Sequence, residues 1–140
     1  MPQQSVIQLP NGAATPVIKD FLPRGSSSTP TGKHYSLWRD QSAANAAGFV
    51  TLEELYGKPS GANGSESYQW TVKIPRLTTV GTNDAGIVPA PSLDFLALAR
   101  IGFQVPVRAD SAMLADLTQY VASLAADYIT LVVRNRNPTY

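Results

Sequence analysis

The segment Tyr68-Gln69-Trp70-Thr71-Val72-Lys73-Ile74 constrains the fold more than any other. Apolar Tyr68, Trp70, Val72 and Ile74 alternate without a break with polar Gln69, Thr71 and Lys73. A period of two sends the first set to one side of an extended chain and the second to the other, so the segment reads as a strand with one buried face. Pro75 lacks a backbone donor and is expected to stop the ladder there. A second strand follows over Phe95–Val105, with Phe95, Ala97, Ala99, Ile101, Phe103 and Val105 on one face. Leu96, Leu98, Arg100, Gly102 and Gln104 form its mixed opposite face.

The period then changes. Asp110 or Ser111 can cap a helix by accepting from a free N–H of the first turn. Met113, Leu114, Leu117, Tyr120, Val121 and Leu124 follow at helical spacing, and Asp116 lies in an early turn, where the helix dipole favours an acid. A second helical stretch carries Tyr128, Ile129, Val132 and Val133, with Arg134 and Arg136 near its end. Strands first and two helices last, over about 110–136, make an α+β layout with helices on one face of an antiparallel sheet. The other face is expected to stay open.

Upstream, Ser5–Leu9 and Thr15–Leu22 read as an N-terminal β-hairpin around Pro10-Asn11-Gly12, since Asn-Gly is a strong hairpin signal. Residues 23–33 read as a loop by composition, and His34–Arg39 as a strand. Gly48–Tyr56 reads as another strand, although Glu53-Glu54-Leu55 would also suit a helix. A loop follows at 57–65, and a long one at 76–92 with Gly81, Gly86, Pro89 and Pro91; loops of that length inside a compact domain are usually functional. The 140 residues are read as one domain, with the hairpin at about 5–22, the sheet at about 34–105 and the helices at about 110–136.

Charged residues are 15% of the chain, against about 25% in a typical soluble domain. Few charges on a small domain suggest surface hidden in an oligomer. The net charge of +1 is not that of a freely diffusing nucleic-acid binder, so any RNA binding requires basic residues segregated to one face. No signal peptide and no apolar run of the roughly 18 residues that a membrane span needs are read, so no membrane partner is expected.

The chemical inventory speaks against an enzyme. There is one histidine, His34, and no cysteine, which leaves no His or thiolate metal cluster and no disulfide. Glu53 and Glu54 are adjacent, and neighbours on a strand point to opposite faces, so they do not share a site. No glycine spacing matches a phosphate cradle. No cofactor, metal or catalytic residue is expected.

The stretch Tyr68–Arg76, the long loop after it, the strand ending Gln104-Val105-Pro106-Val107-Arg108-Ala109-Asp110, two short helices and a Pro138-Thr139-Tyr140 ending together resemble the coat proteins of single-stranded RNA bacteriophages of the levivirus group. The likeness is good over 66–140, looser over the hairpin at 5–22, and at 23–60 rests on element order. It implies an interlocked homodimer with one continuous sheet, the helices of each chain lying on the partner's sheet. Tyr68, Trp70, Val72, Ile101, Phe103, Leu117, Val121 and Leu124 would form the dimer core. It further implies an icosahedral (T=3) shell, assembled in the bacterial host cytoplasm and carried in the virion, with the loop Leu77–Ser92 at the shell contacts through Gly81, Asn83, Gly86 and Pro89. The implied partners are a second copy, genomic single-stranded RNA and a phage maturation protein.

The family holds RNA on the sheet face away from the helices. The matching residues here are Ser67, Gln69, Thr71 and Lys73 on one strand and Leu98, Arg100 and Gln104 on the next, joined by Thr51 and Glu53. Lys73 and Arg100 would neutralise phosphates, and Gln69, Thr71 and Gln104 would hydrogen-bond phosphate, sugar or base edges. Leu98 and Arg100 stand where relatives place an aromatic and an amide that hold a hairpin base; Leu98 cannot stack, which implies a different hairpin or largely sequence-independent packaging. Translational repression through a hairpin is left open by these residues. So is a second function class, a dimeric RNA- or partner-binding module that never assembles.

Overall fold

The computed structural model describes residues 4–78, 81 and 85–138. Six strands form one antiparallel sheet in sequence order: β1 (Ile7–Pro10), β2 (Ile18–Ser28), β3 (His34–Asp40), β4 (Val50–Gly57), β5 (Ser65–Leu77) and β6 (Leu93–Pro106). Each strand pairs with its neighbours in the chain, so β1 and β6 are the edges. A helical rod follows: α1 (Ser111–Leu124), a π-helical turn (Ala125–Ile129) and α2 (Thr130–Asn135).

Alternation sorts the side chains of β3 to β6 into two faces. Trp38 is opposite Leu52, Leu52 opposite Val72, and Val72 opposite Ala99, which puts these four on one apolar face with Trp70, Ile101 and Phe103. The core on this face centres on buried Phe21, Trp38 and Leu52, with Ile7, Val50, Trp70 and Val72 packed against it. The Trp38 and Trp70 rings stack with centroids 5.7 Å apart, and Trp38 Nε1 donates to the Ser5 carbonyl at 3.0 Å. That bond ties the N-terminal segment to the sheet.

This core is thin. β6 is exposed over most of its length, and α1 and α2 contain no buried residue. The accessible surface is 10497 Å², where a compact folded monomer of this mass exposes about 7,000 Å². The apolar faces of β5 and β6 are thus not covered by the chain's own helices.

Several sequence expectations change. The two helices join into one rod; the π-helical turn carries the backbone through, and Thr130 Oγ1 donates to the Ala125 carbonyl at 2.6 Å inside it. Asp110 is the N-cap, accepting from Met113 N at 2.8 Å. The rod ends at Arg136, which is left-handed (φ 52°), with Asn137 N donating to the Val132 carbonyl. Residues 23–28, expected as loop, continue β2: a bulge between Pro23 and Ser26 absorbs Pro23, and Gly25 takes φ 105° there. Pro75 does not stop β5. It pairs with Leu96 just past the last β4 partner, Thr51 opposite Lys73, where the strand has an open side and a missing donor costs no ladder bond. Asn11-Gly12 is not a two-residue turn; Asn11 N donates to Val17 O, and the Asn11 side chain accepts from Ala13 N and Val17 N, closing a longer loop. Glu53-Glu54-Leu55 is strand, not helix.

Candidate nucleic-acid interface

Strand register builds the open face row by row. Thr51, Lys73 and Leu98 form one row across β4, β5 and β6; Glu53, Thr71 and Arg100 form the next. Leu55, Gln69 and Gly102 follow, then Gly57, Ser67 and Gln104. Every residue assigned from sequence to an RNA face therefore lies on one face of the sheet. Gly57 ends β4 opposite Ser67, where a Cβ would crowd the Ser67 hydroxyl.

The nine side chains are not equivalent. Leu98, Arg100 and Gln104 are exposed, whereas Thr51, Glu53, Ser67, Gln69 and Lys73 are half-buried. Thr71 is only 4% exposed, so its hydroxyl belongs to the floor of the face, where the Gln69 amide donates to it at 3.5 Å. Lys73 is bound by Glu53 at 2.6 Å. Arg100 is in no ion pair among the described residues.

Sequence reasoning read β3 as a strand but did not assign its residues to this face. Tyr35, Leu37 and Arg39 pair with Leu55, Glu53 and Thr51 and so extend the same face by a fourth strand. Their own alternation with His34, Ser36 and Trp38 was the available signal. Tyr35 places an aromatic ring on this face, in the row of Leu55, Gln69 and Gly102. Burial pushes its hydroxyl pKa up from the ordinary value, and the charge of Glu53 and a hydrogen bond to it add to the rise. Beside it, Lys33, Leu55, Ser67, Gln69, Gly102 and Gln104 line a depression of ≈ 360 Å³, opened by the missing side chain at Gly102. Such a basic, amide-rich hollow can accept a base edge or a phosphate.

The opposite face has a different chemistry. Tyr56 and Tyr68 hydroxyls donate to the two oxygens of Glu66 at 3.3 and 2.9 Å. Burial raises both phenol pKa values, Tyr68 to about 12, and Glu66 reinforces the shift. Burial also raises the Glu54 carboxyl beside Trp70. Glu53 and Glu54 thus face opposite sides, as expected. The dimer-core residues assigned from sequence separate: Tyr68, Trp70 and Val72 are half-buried in the chain's own sheet, while Ile101 and Leu124 are exposed. Of the loop residues, Gly81, Gly86 and Pro89 are exposed, and Asn83 lies outside the described residues. Thr78 N donates to Ser92 O at 2.8 Å and closes the base of the loop.

No protein-family model matches the chain, and no curated protein matches it by sequence. Solved structures do. The virus-like particle of bacteriophage ESE058 is 25% identical, with a TM-score of 0.84 over 99% of this chain and 100% of that one. The virus-like particle of bacteriophage NT-214 is 22% identical, with a TM-score of 0.82 over 99% and 100%. The bacteriophage GA capsid protein is 17% identical, with a TM-score of 0.66 over 93% and 92%. The levivirus-type likeness read from the sequence therefore holds in three dimensions: the chain has the coat-protein fold. These matches are capsid and coat proteins, not enzymes, in agreement with the thin chemical inventory.

Proposed function

We propose that this chain is the structural coat protein of a single-stranded RNA phage, forming dimers that build an icosahedral shell around the genome. The observation that carries this is the end-to-end match to a virus-like-particle protein, covering 99% of one chain and 100% of the other. The uncovered surface supports it physically. An excess of thousands of Å² over a compact monomer is on the scale of an obligate homodimer interface, and each large apolar side chain removed from water contributes about 1.5–3 kcal/mol. Tyr120 and Tyr128 on the rod are 70% and 67% exposed, and Phe95 on β6 is 59% exposed.

On this reading two copies meet along the free β6 edges, and each rod lies over the partner's apolar face. Leu117, Val121 and Leu124 then meet Tyr68, Trp70, Val72, Ile101 and Phe103 of the second copy. The loop carrying Gly81, Gly86 and Pro89 makes shell contacts, and the open face with Lys73 and Arg100 turns inward to genomic RNA. A maturation protein is a further partner on this reading.

Electron microscopy of the protein expressed alone in bacteria, after size-exclusion chromatography, tests the proposal. Uniform round particles holding nuclease-protected RNA are expected. A small soluble species without particles, across salt and added RNA, overturns the shell reading in favour of a non-assembling binding module. Leu117→Asp should abolish particles and leave a species that does not dimerise.

A further inference from the structure

The open face carries a second depression, at the other end of the sheet from Gly102. It holds ≈ 460 Å³ and is lined by Arg39, Phe49, Thr51 and Lys73 over an apolar floor that includes Pro75 and Leu96. Its wall is a short helical turn, Ala46–Gly48, capped by Asn45, whose side chain accepts from Ala47 N at 2.9 Å. Gly48 lets that turn close on β5: a Cβ there would lie 3.2 Å from Leu77 Cδ1 and 3.3 Å from Ala43 Cβ. The wall is therefore set by the cap and by the close approach of the turn to β5.

Three properties coincide here. The volume lies in the range of small-ligand sites. Arg39 and Lys73 flank Thr51 across three strands, roughly 10 Å from first to third. Arg39 is exposed and, among the described residues, in no ion pair, while Lys73 shares its charge with Glu53. Phe49 is half-buried and lines the depression. Two cations around a hydroxyl, beside an aromatic ring and an apolar floor, match a phosphate joined to a flat base.

We propose that this depression takes one unstacked nucleotide of single-stranded RNA, with the base against Phe49 and its phosphate between Arg39 and Lys73. The inference rests on the reading of the open face as the RNA side. It adds to that reading a base position that lies off the Gln69–Gln104 hollow and depends on the turn at 46–48.

The test uses purified protein freed of nucleic acid at high salt, with fluorescein-labelled oligo(A) and oligo(U) as probes, followed by anisotropy over a salt series. Arg39→Gln should weaken binding about fivefold and lower the log–log salt slope by about one. Phe49→Ala should weaken it about fivefold or more with the slope unchanged, because stacking releases no counterion. Phe49→Trp should restore affinity, and the emission of the new indole should be quenched by the oligonucleotide. If Arg39→Gln and Phe49→Ala bind as the parent does while Gln69→Ala and Lys33→Gln bind weakly, the subsite is overturned and the RNA face stands. If all four bind as the parent does, both fall. Should Phe49→Ala fail to fold, an unquenched Phe49→Trp still overturns the proposal.

Discussion

Lys73 Nζ donates to Glu53 Oε1 at 2.6 Å, diagonally across the β4–β5 ladder on the open face. The pair is partly exposed, with side-chain accessibilities of 32% and 21%. A cation assigned to phosphate thus already has a carboxylate partner, and that carboxylate also faces Tyr35. On the proposed reading, RNA contact at Lys73 would compete with Glu53, which moderates the charge of the whole face.

Replacing the carboxylate releases the ammonium and removes a repulsion toward phosphate. Glu53→Gln should tighten RNA binding about three- to tenfold at low salt and steepen the salt slope by up to about one. Anisotropy across a salt series measures both. An unchanged slope would mean that Lys73 makes no phosphate contact.

The Trp38–Trp70 stack is the centre of the chain's own core. Trp38 is 5% exposed and bonded to Ser5 O, so Trp38→Ala removes packing on both sides and should cost about 3–5 kcal/mol. Trp38→Phe keeps most of the packing and loses the indole donor, leaving the Ser5 carbonyl for water; about 1 kcal/mol is expected from the lost bond. Urea unfolding of both variants, at one protein concentration, should give that order.

How much of this was legible follows from which signals are local. The two-residue period at Tyr68–Ile74 and Phe95–Val105 depends only on the chain itself, so both strands and both faces could be read, and the nine open-face residues fell together. The bulge at Pro23–Ser26 was not legible, because composition marks Pro-Arg-Gly-Ser as loop while the pairing partner, Ser36–Trp38, lies ten or more residues away. Pro75 failed for a related reason: whether a missing donor matters depends on whether a neighbour strand reaches that far, and β4 begins only at Val50. The joined helices hid behind a one-residue change of period, which a π-helical turn makes without any glycine or proline to announce it. Tyr35 and Arg39 were in plain view as a strand, yet their place beside Thr51 and Glu53 required the register.

Among the described residues, Asp110 alone satisfies an N–H at the start of the rod by side-chain capping, through its bond to Met113 N. Because the rod has no buried residue in the chain itself, its first turn depends on that cap more than a packed helix would. Asp110→Ala should cost about 1 kcal/mol, and Asp110→Asn or Asp110→Ser should recover most of it. Far-ultraviolet circular dichroism during urea unfolding reads the loss. If the alanine variant unfolds with the parent, the rod is held by intersubunit packing rather than by its cap.

The tyrosine pair on the apolar face sets an alkaline limit. Burial is the main cause that pushes Tyr68 from 10.0 up to about 12, and its 2.9 Å bond to Glu66 adds to it, because ionising the phenol would both desolvate a charge and set it against a carboxylate. A pKa raised on folding means that the native state holds the proton more tightly than the unfolded chain. That contribution is whole below about pH 10 and is lost as pH rises to about 12, since over this window the unfolded state binds fewer protons. The urea midpoint should therefore fall across this window in the parent protein and fall less in Tyr68→Phe, which has no phenol to ionise. Tyr56, raised by burial and by the same Glu66, keeps part of the slope. Glu66→Gln should flatten it as well, by removing the charge that opposes both phenolates. If Tyr68→Phe loses stability as steeply as the parent, the tyrosine–glutamate cluster is not what limits the sheet at high pH.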